Sequence, residues 1–103
     1  MKKLVLAGIA AFATTVVIAT SDAIAYSGSE MEKDAKISMQ QASAIALKAR
    51  PGKITDRELE KEKGGSGLRY SFDVQSHGTA YEVGVDAMSG KVLENAPEGK
   101  NPD

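Results

Sequence analysis

Two periodicities divide the chain. From Met39 to Ala49 the apolar positions return with helical spacing. Met39, Ala42, Ile45, Ala46 and Ala49 fall within an arc of roughly 120°, while Gln40, Ala44 and Lys48 point away. Ser38 with Gln41 three positions later is the pattern of a capping box, and Arg50-Pro51-Gly52 stops the helix because proline disfavours helical geometry at Arg50. A helix over about residues 39 to 50 is predicted. Three alanines on its apolar arc let it lie close to whatever it covers.

Beyond Gly52 the period changes to two. Leu68, Tyr70, Phe72 and Val74 share one face of a strand and Arg69, Ser71, Asp73 and Gln75 the other. After the Ser76-His77-Gly78 turn, Tyr81, Val83, Val85 and Ala87 repeat the pattern opposite Glu82, Gly84 and Asp86. Thr55 to Lys63 holds only Leu59 as a large apolar residue among many charges, which suits an edge strand guarded against pairing with other chains. Ile54 and Leu59 have opposite parity, so both are buried only if Ile54 precedes the strand proper or a bulge intervenes; the first option is favoured. Lys91 to Glu94 makes a short final strand, with Val92 feeding the core. The fold class is α+β: one helix packed on a small antiparallel sheet of three to four strands, in two layers.

The ends of the chain read differently from its middle. Met1-Lys2-Lys3, the uncharged run from Leu4 to Thr20 and Ala23-Ile24-Ala25 have the build of a secretory signal peptide cleaved after Ala25. A retained membrane anchor fits less well, because Gly8, Thr14 and Thr15 interrupt the run and Ser21-Asp22 ends it. Residues 26 to 36 are polar and read as a flexible lead-in, and residues 95 to 103, with two prolines, as a disordered tail. The expected destination is the periplasm or the medium, with no membrane contact after cleavage.

Composition narrows the function classes. In 103 residues, 42% are hydrophobic and 26% charged, with a formal net charge of −1. The small acidic balance gives no reason to expect a nucleic-acid partner. No cysteine occurs, so disulfides and thiol chemistry are excluded. A domain this small has little core and no staple to compensate, which leaves no room for an enclosed active site.

The loop Asp86 to Lys91 superficially suggests a ligand site. For a P-loop the spacing from Gly84 to Gly90 is one residue too long and Val92 follows Lys91. Counted as a calcium loop from Asp86, the ligand positions fall on Met88, Gly90 and Lys91. A hairpin turn shaped by Asp86 and Gly90 fits better. His77, the only histidine, has no visible catalytic or metal partner. Glu58, Glu60 and Glu62 alternate along one strand, but the interleaved Arg57, Lys61 and Lys63 make a solvated edge the better reading than a cation site. Ser66, Ser71 and Ser89 lack a base or an elbow motif. No catalytic, cofactor-binding or metal residue is assigned, and no enzymatic activity is expected.

Taken in order, "ISMQQASAIALKARPGKITDRELEKE", "YSFDVQ" and "YEVGVDAMSGKVLE" resemble the PepSY domain family from about Ile37 to Glu94. The Ala44-Ile45 and Ala49 helix positions, Pro51-Gly52, Glu58-Leu59-Glu60, Tyr81-Glu82-Val83 and Val85-Asp86-Ala87, with Ser89-Gly90-Lys91-Val92 after them, carry the resemblance. It implies a relation to the domain in propeptides of thermolysin-like metallopeptidases, with inhibition of, or protection against, an extracytoplasmic peptidase as the expected role. It supplies no catalytic residues. With no peptidase sequence following, such a role is exercised in trans. The competing reading is a binding or sensory accessory that holds a small ligand, cation or envelope protein on the polar face formed by Arg69, Ser71, Asp73 and Gln75, although a plain solvated face accounts for these residues more simply.

Overall fold

A computed structural model of the chain describes residues 25–99. Apart from Ala25, the expected signal segment lies outside the described residues, as do the last four residues of the expected tail. Helix α1 spans Met39–Ala49, and strands β1 (Lys53–Lys61), β2 (Leu68–Ser76), β3 (Thr79–Asp86) and β4 (Val92–Pro97) follow it. The strands pair antiparallel in chain order, β1-β2-β3-β4, as a meander with α1 across one face.

The helix begins where its sequence says it does. Ser38 Oγ accepts from the Gln41 amide at 3.1 Å, and Gln41 Oε1 accepts from the Ser38 amide at 2.9 Å, so two amides that the helix cannot satisfy itself are paired reciprocally. At the other end Arg50 turns extended before Pro51. Met39, Ala42 and Ala46 are buried against Leu59, Tyr70, Phe72, Val74, Val83, Val85 and Ala87, while Ile45 and Leu47 flank this cluster. The two most deeply buried aromatic rings, Tyr70 and Phe72, come from the strand with the clearest alternation. The Tyr70 hydroxyl donates to the Ile37 carbonyl at 2.7 Å, so its polar tip is satisfied at the approach to the helix.

Three boundaries differ from the sequence reading, each because a neighbouring strand decides what local pattern cannot. β1 starts at Lys53 and ends at Lys61, instead of running from Thr55 to Lys63. Ile54 therefore lies inside the strand, opposite Val74, and a register shift between Ile54 and Asp56 reconciles its parity with Leu59; the bulge, rather than an Ile54 outside the strand, is the solution adopted. β4 runs on to Pro97, so Asn95, Ala96 and Pro97 are paired with β3 instead of opening a disordered tail. A second register shift sets Val92 opposite Val85 and Glu94 opposite Gly84 with Leu93 between. Val92 consequently remains 38% exposed at the edge and does not feed the core. Asn95 is fixed through its side chain, accepting from Arg50 Nε at 3.0 Å and donating to the Ala49 carbonyl at 3.3 Å.

The segment from 26 to 36 also departs from a flexible lead-in. Ser27 bridges to Glu58 in parallel on the outer edge of β1, with the Leu59 amide donating to the Ser27 carbonyl at 2.9 Å, and a 3-10 helix follows at Ser29–Asp34. Tyr26, Met31 and Ala35 pack on the core. Tyr26 donates its hydroxyl to Glu32, whose second oxygen accepts from the Met39 amide at 3.3 Å. The polar composition hid this because the segment draws its order from β1 and α1 and has no apolar period of its own.

Candidate functional site

Asp86 ends β3 and is 2% exposed. Its amide donates to the Lys91 carbonyl at 2.8 Å, and its carbonyl accepts from the Gly90 amide at 2.9 Å, which closes the β3–β4 loop. Gly90 has φ of 80°, a left-handed conformation that glycine adopts without a Cβ clash. The Asp86 carboxylate is divided between two loops. Oδ2 accepts from the Met88 amide at 3.2 Å, the Ser89 amide at 2.9 Å and Ser89 Oγ at 3.0 Å. Oδ1 accepts from the Ser66 amide at 2.7 Å, in the loop between β1 and β2. Burial alone raises the pKa of this carboxyl, but the hydrogen bonds from Ser66 and Ser89 outweigh it and hold the group well below the usual carboxylate range. Three of the four donors converge on Oδ2 and one reaches Oδ1. Asp86 therefore acts as a clasp between loops, and the turn reading of Asp86 to Lys91 accounts for the geometry without a phosphate or calcium ion.

Beside it, Arg69 lies flat over β3. It crosses at Gly84, where a Cβ would come within 2.9 Å of Arg69 Cδ. From there Nη1 donates to Glu94 Oε1 at 3.3 Å and Nη2 to the Lys63 carbonyl at 3.1 Å. The residue is 8% exposed, and its Nε has no hydrogen-bond partner among the described residues. Ser71 is also buried, donating to Glu60 Oε2 at 2.7 Å. The face of Arg69, Ser71, Asp73 and Gln75 is thus not uniformly solvated, since its first two members are packed into the surface. The signal for this was Gly84, an isolated glycine inside a strand, which marks a close approach by another group.

Around Arg69 the outer face of the sheet is acidic. Register sets Asp56 beside Asp73 and Asp73 beside Glu82, and sets Glu58, Ser71, Gly84 and Glu94 in the next row. Burial raises the pKa of Glu58, and the Glu60, Asp56 and Asp73 charges raise it further. Asp73 is raised by burial, then by Glu98 and Asp56, and Glu82 by burial, then by Glu94, Asp73, Glu98 and Glu60. Of the three glutamates singled out on β1, Glu58 and Glu60 share this face, whereas Glu62 follows the strand and donates its amide to the Gly67 carbonyl at 3.1 Å. No group of three or more histidine, cysteine or acidic side chains is arranged to hold a metal among the described residues.

The remaining candidates are dispersed. His77 is an exposed turn residue with φ of 49°, followed by Gly78 at 80°, the left-handed pair of a two-residue hairpin turn. Ser66, Ser71 and Ser89 are engaged with Leu68, Glu60 and Asp86 respectively. An open cleft of about 400 Å³ runs along β1, lined by Ala25, Tyr26 and Ser27 and by residues 54–58. No helix among the described residues is long and apolar enough to cross a membrane.

Neither the curated proteins nor the solved structures compared with the chain give a match. The family model described as "Peptidase propeptide and YPEB domain" matches residues 36–95, from the approach to α1 into β4. That span contains the whole helix, the clasp at Asp86 and the Arg69 face, and accounts for more than half of the chain. The chain belongs to the PepSY family.

Proposed function

We propose that the protein is an exported, non-catalytic PepSY domain that modulates an extracytoplasmic peptidase in trans, either restraining it or protecting against it. The family match over residues 36–95 carries this reading, because domains of this family are propeptide-like and associated with peptidases. The domain offers two kinds of docking surface, the strand edges and the outer face of the sheet, and an added strand or a covered face is a common way for small domains to bind polypeptide. Export follows from the signal-like residues 1–25, with Tyr26 the first residue of the mature chain.

The direct test titrates the purified protein against the peptidases secreted by its source cell. Slowed turnover or slowed autolysis at micromolar protein supports the proposal, and an unchanged rate for every secreted peptidase overturns it. Mass spectrometry of the exported protein tests the processing separately: a mass that retains residues 1–25 refutes cleavage after Ala25.

A further inference from the structure

Sequence and fold make competing claims on one peptide bond. In the sequence, Ala23-Ile24-Ala25 places small residues for a signal peptidase that cuts between Ala25 and Tyr26. Peptidases act on segments that are exposed and free to lie extended through the active site on both sides of the cut. In the fold, the residues just after this bond are neither. The Tyr26 carbonyl accepts from the Ser29 amide at 3.2 Å, so the chain turns immediately after the bond. The Tyr26 ring packs on the core and its hydroxyl donates to Glu32. The Ser27 carbonyl is held by the Leu59 amide at 2.9 Å on the outer edge of β1. Gly28, with φ of 88°, lies so close to β1 that a Cβ there would collide with the Leu59 carbonyl. Further on, Glu32 accepts from the Met39 amide at 3.3 Å, and the Lys36 and Ile37 amides donate to the Ala87 carbonyl at 3.0 and 3.2 Å. Residues 26–37 are thus a strap fastened to β1, to the start of α1 and to the end of β3.

We propose that this strap makes folding and processing mutually exclusive: residues 1–25 are removed only from a chain whose strap is open, and a chain that folds first keeps them. The reaction is a hydrolysis in which water adds across the Ala25–Tyr26 amide, leaving a carboxylate on Ala25 and an ammonium on Tyr26. Ala25 itself is exposed, so the fold withholds the leaving side of the bond and not the small residue that a signal peptidase recognises. Freeing Tyr26 and Ser27 breaks the turn, the bridge to β1 and the bond to Glu32 together, so the strap opens as a unit. The order of two events then decides whether the domain is released or stays joined to its apolar leader. The inference rests on the cleavage site read from the sequence and makes no use of the peptidase-modulating role.

The test uses a purified signal peptidase in detergent micelles, with mass spectrometry to locate the cut. Its substrates are the folded full-length chain and a synthetic peptide of residues 16–35, which carries the bond and most of the strap without β1 or α1 to close on. The expected result is a cut between Ala25 and Tyr26 in both, at least about thirtyfold slower in the folded chain. A peptide left uncut at that bond overturns the cleavage site and the inference with it, whereas equal rates overturn the inference alone. Gly28→Val, which forces the strap off β1, should bring the full-length chain within about fivefold of the peptide while circular dichroism still shows the sheet. Glu32→Ala, which keeps the Gly28 backbone and removes the acceptor of the Tyr26 hydroxyl, is the second variant and should speed the cut at least about threefold. Gly90→Val, which loosens the domain away from the strap, should stay within about twofold of the parent. A rate unmoved by both strap variants, or raised equally by Gly90→Val, overturns the proposal.

Discussion

At the scale of single residues, Asp86 and Gly90 do opposite kinds of work in one loop. Gly90 supplies a backbone conformation: at φ of 80° a β-branched residue is strained, and a Cβ there already stands 3.3 Å from Ile45 Cδ1. Gly90→Val should destabilise the fold by about 1 to 3 kcal/mol, read as a lowered melting temperature, and an unchanged melting temperature refutes the turn assignment. Asp86 supplies acceptors. Asp86→Ala leaves the Ser66, Met88 and Ser89 amides without their partner and should cost about 2 to 4 kcal/mol in denaturant unfolding. Its pH dependence has a fixed sign. The folded pKa is depressed below the ordinary value of 3.8, so the contribution of Asp86 is complete above that value and is lost as pH falls below it. The wild type should therefore lose more stability than Asp86→Ala on acidification through that range, and parallel acid profiles of the two proteins would contradict the assignment.

At the scale of elements, α1 was the most legible part of the chain and the sheet edges the least. Ser38, Gln41 and the Met39, Ala42 and Ala46 arc act within a few residues of one another, so the sequence window that specifies them is also the one that holds them. Ser38→Ala should cost about 1 kcal/mol, and a loss indistinguishable from zero would mean that Glu32, which also accepts from Met39, supports this helix end unaided. The bulge at Thr55 was one of two options left open by the parity of Ile54 and Leu59, and the one at Leu93 was not legible, because each is a relation between two strands rather than a property of one. The same holds for Arg69. Its parity was readable, but its burial depends on Gly84 in the neighbouring strand and Glu94 in the one beyond. The clasp was half visible: Asp86 was marked as a turn residue, while its bond to Ser66 required the two loops to meet.

At the scale of the whole molecule, the outer-face carboxylates and the clasp at Asp86 set opposing demands on pH. The raised pKa values of Glu58, Asp73 and Glu82 mean that the folded form binds protons more readily than the unfolded chain. Their contribution to stability is present at pH below the ordinary carboxylate values and is lost as pH rises through the elevated ones. Combined with the acid limit set by Asp86, this places maximum stability in mild acid, below neutrality. At neutral pH, added salt should raise the melting temperature by screening the outer-face carboxylates, and the triple variant Glu58→Gln, Asp73→Asn, Glu82→Gln should reduce that response. A salt response identical in both proteins would show that the acidic rows do not repel one another in the folded state.

The link between Ser66 and Asp86 also orders events in time. The sheet is a meander, so each strand meets its chain neighbour through a short loop closure, and β2 and β3 can zip outward from the His77-Gly78 turn. Ser66 and Asp86 flank the far end of that hairpin, twenty residues apart, and come together only after its register is complete. A bond made after the rate-limiting step stabilises by retarding escape from the native basin. In stopped-flow kinetics, Asp86→Ala should accelerate unfolding while leaving the refolding limb nearly unchanged, and the reverse partition would place the clasp in the folding nucleus. On this account, the loop that closes the sheet governs how long the folded molecule survives once it has formed.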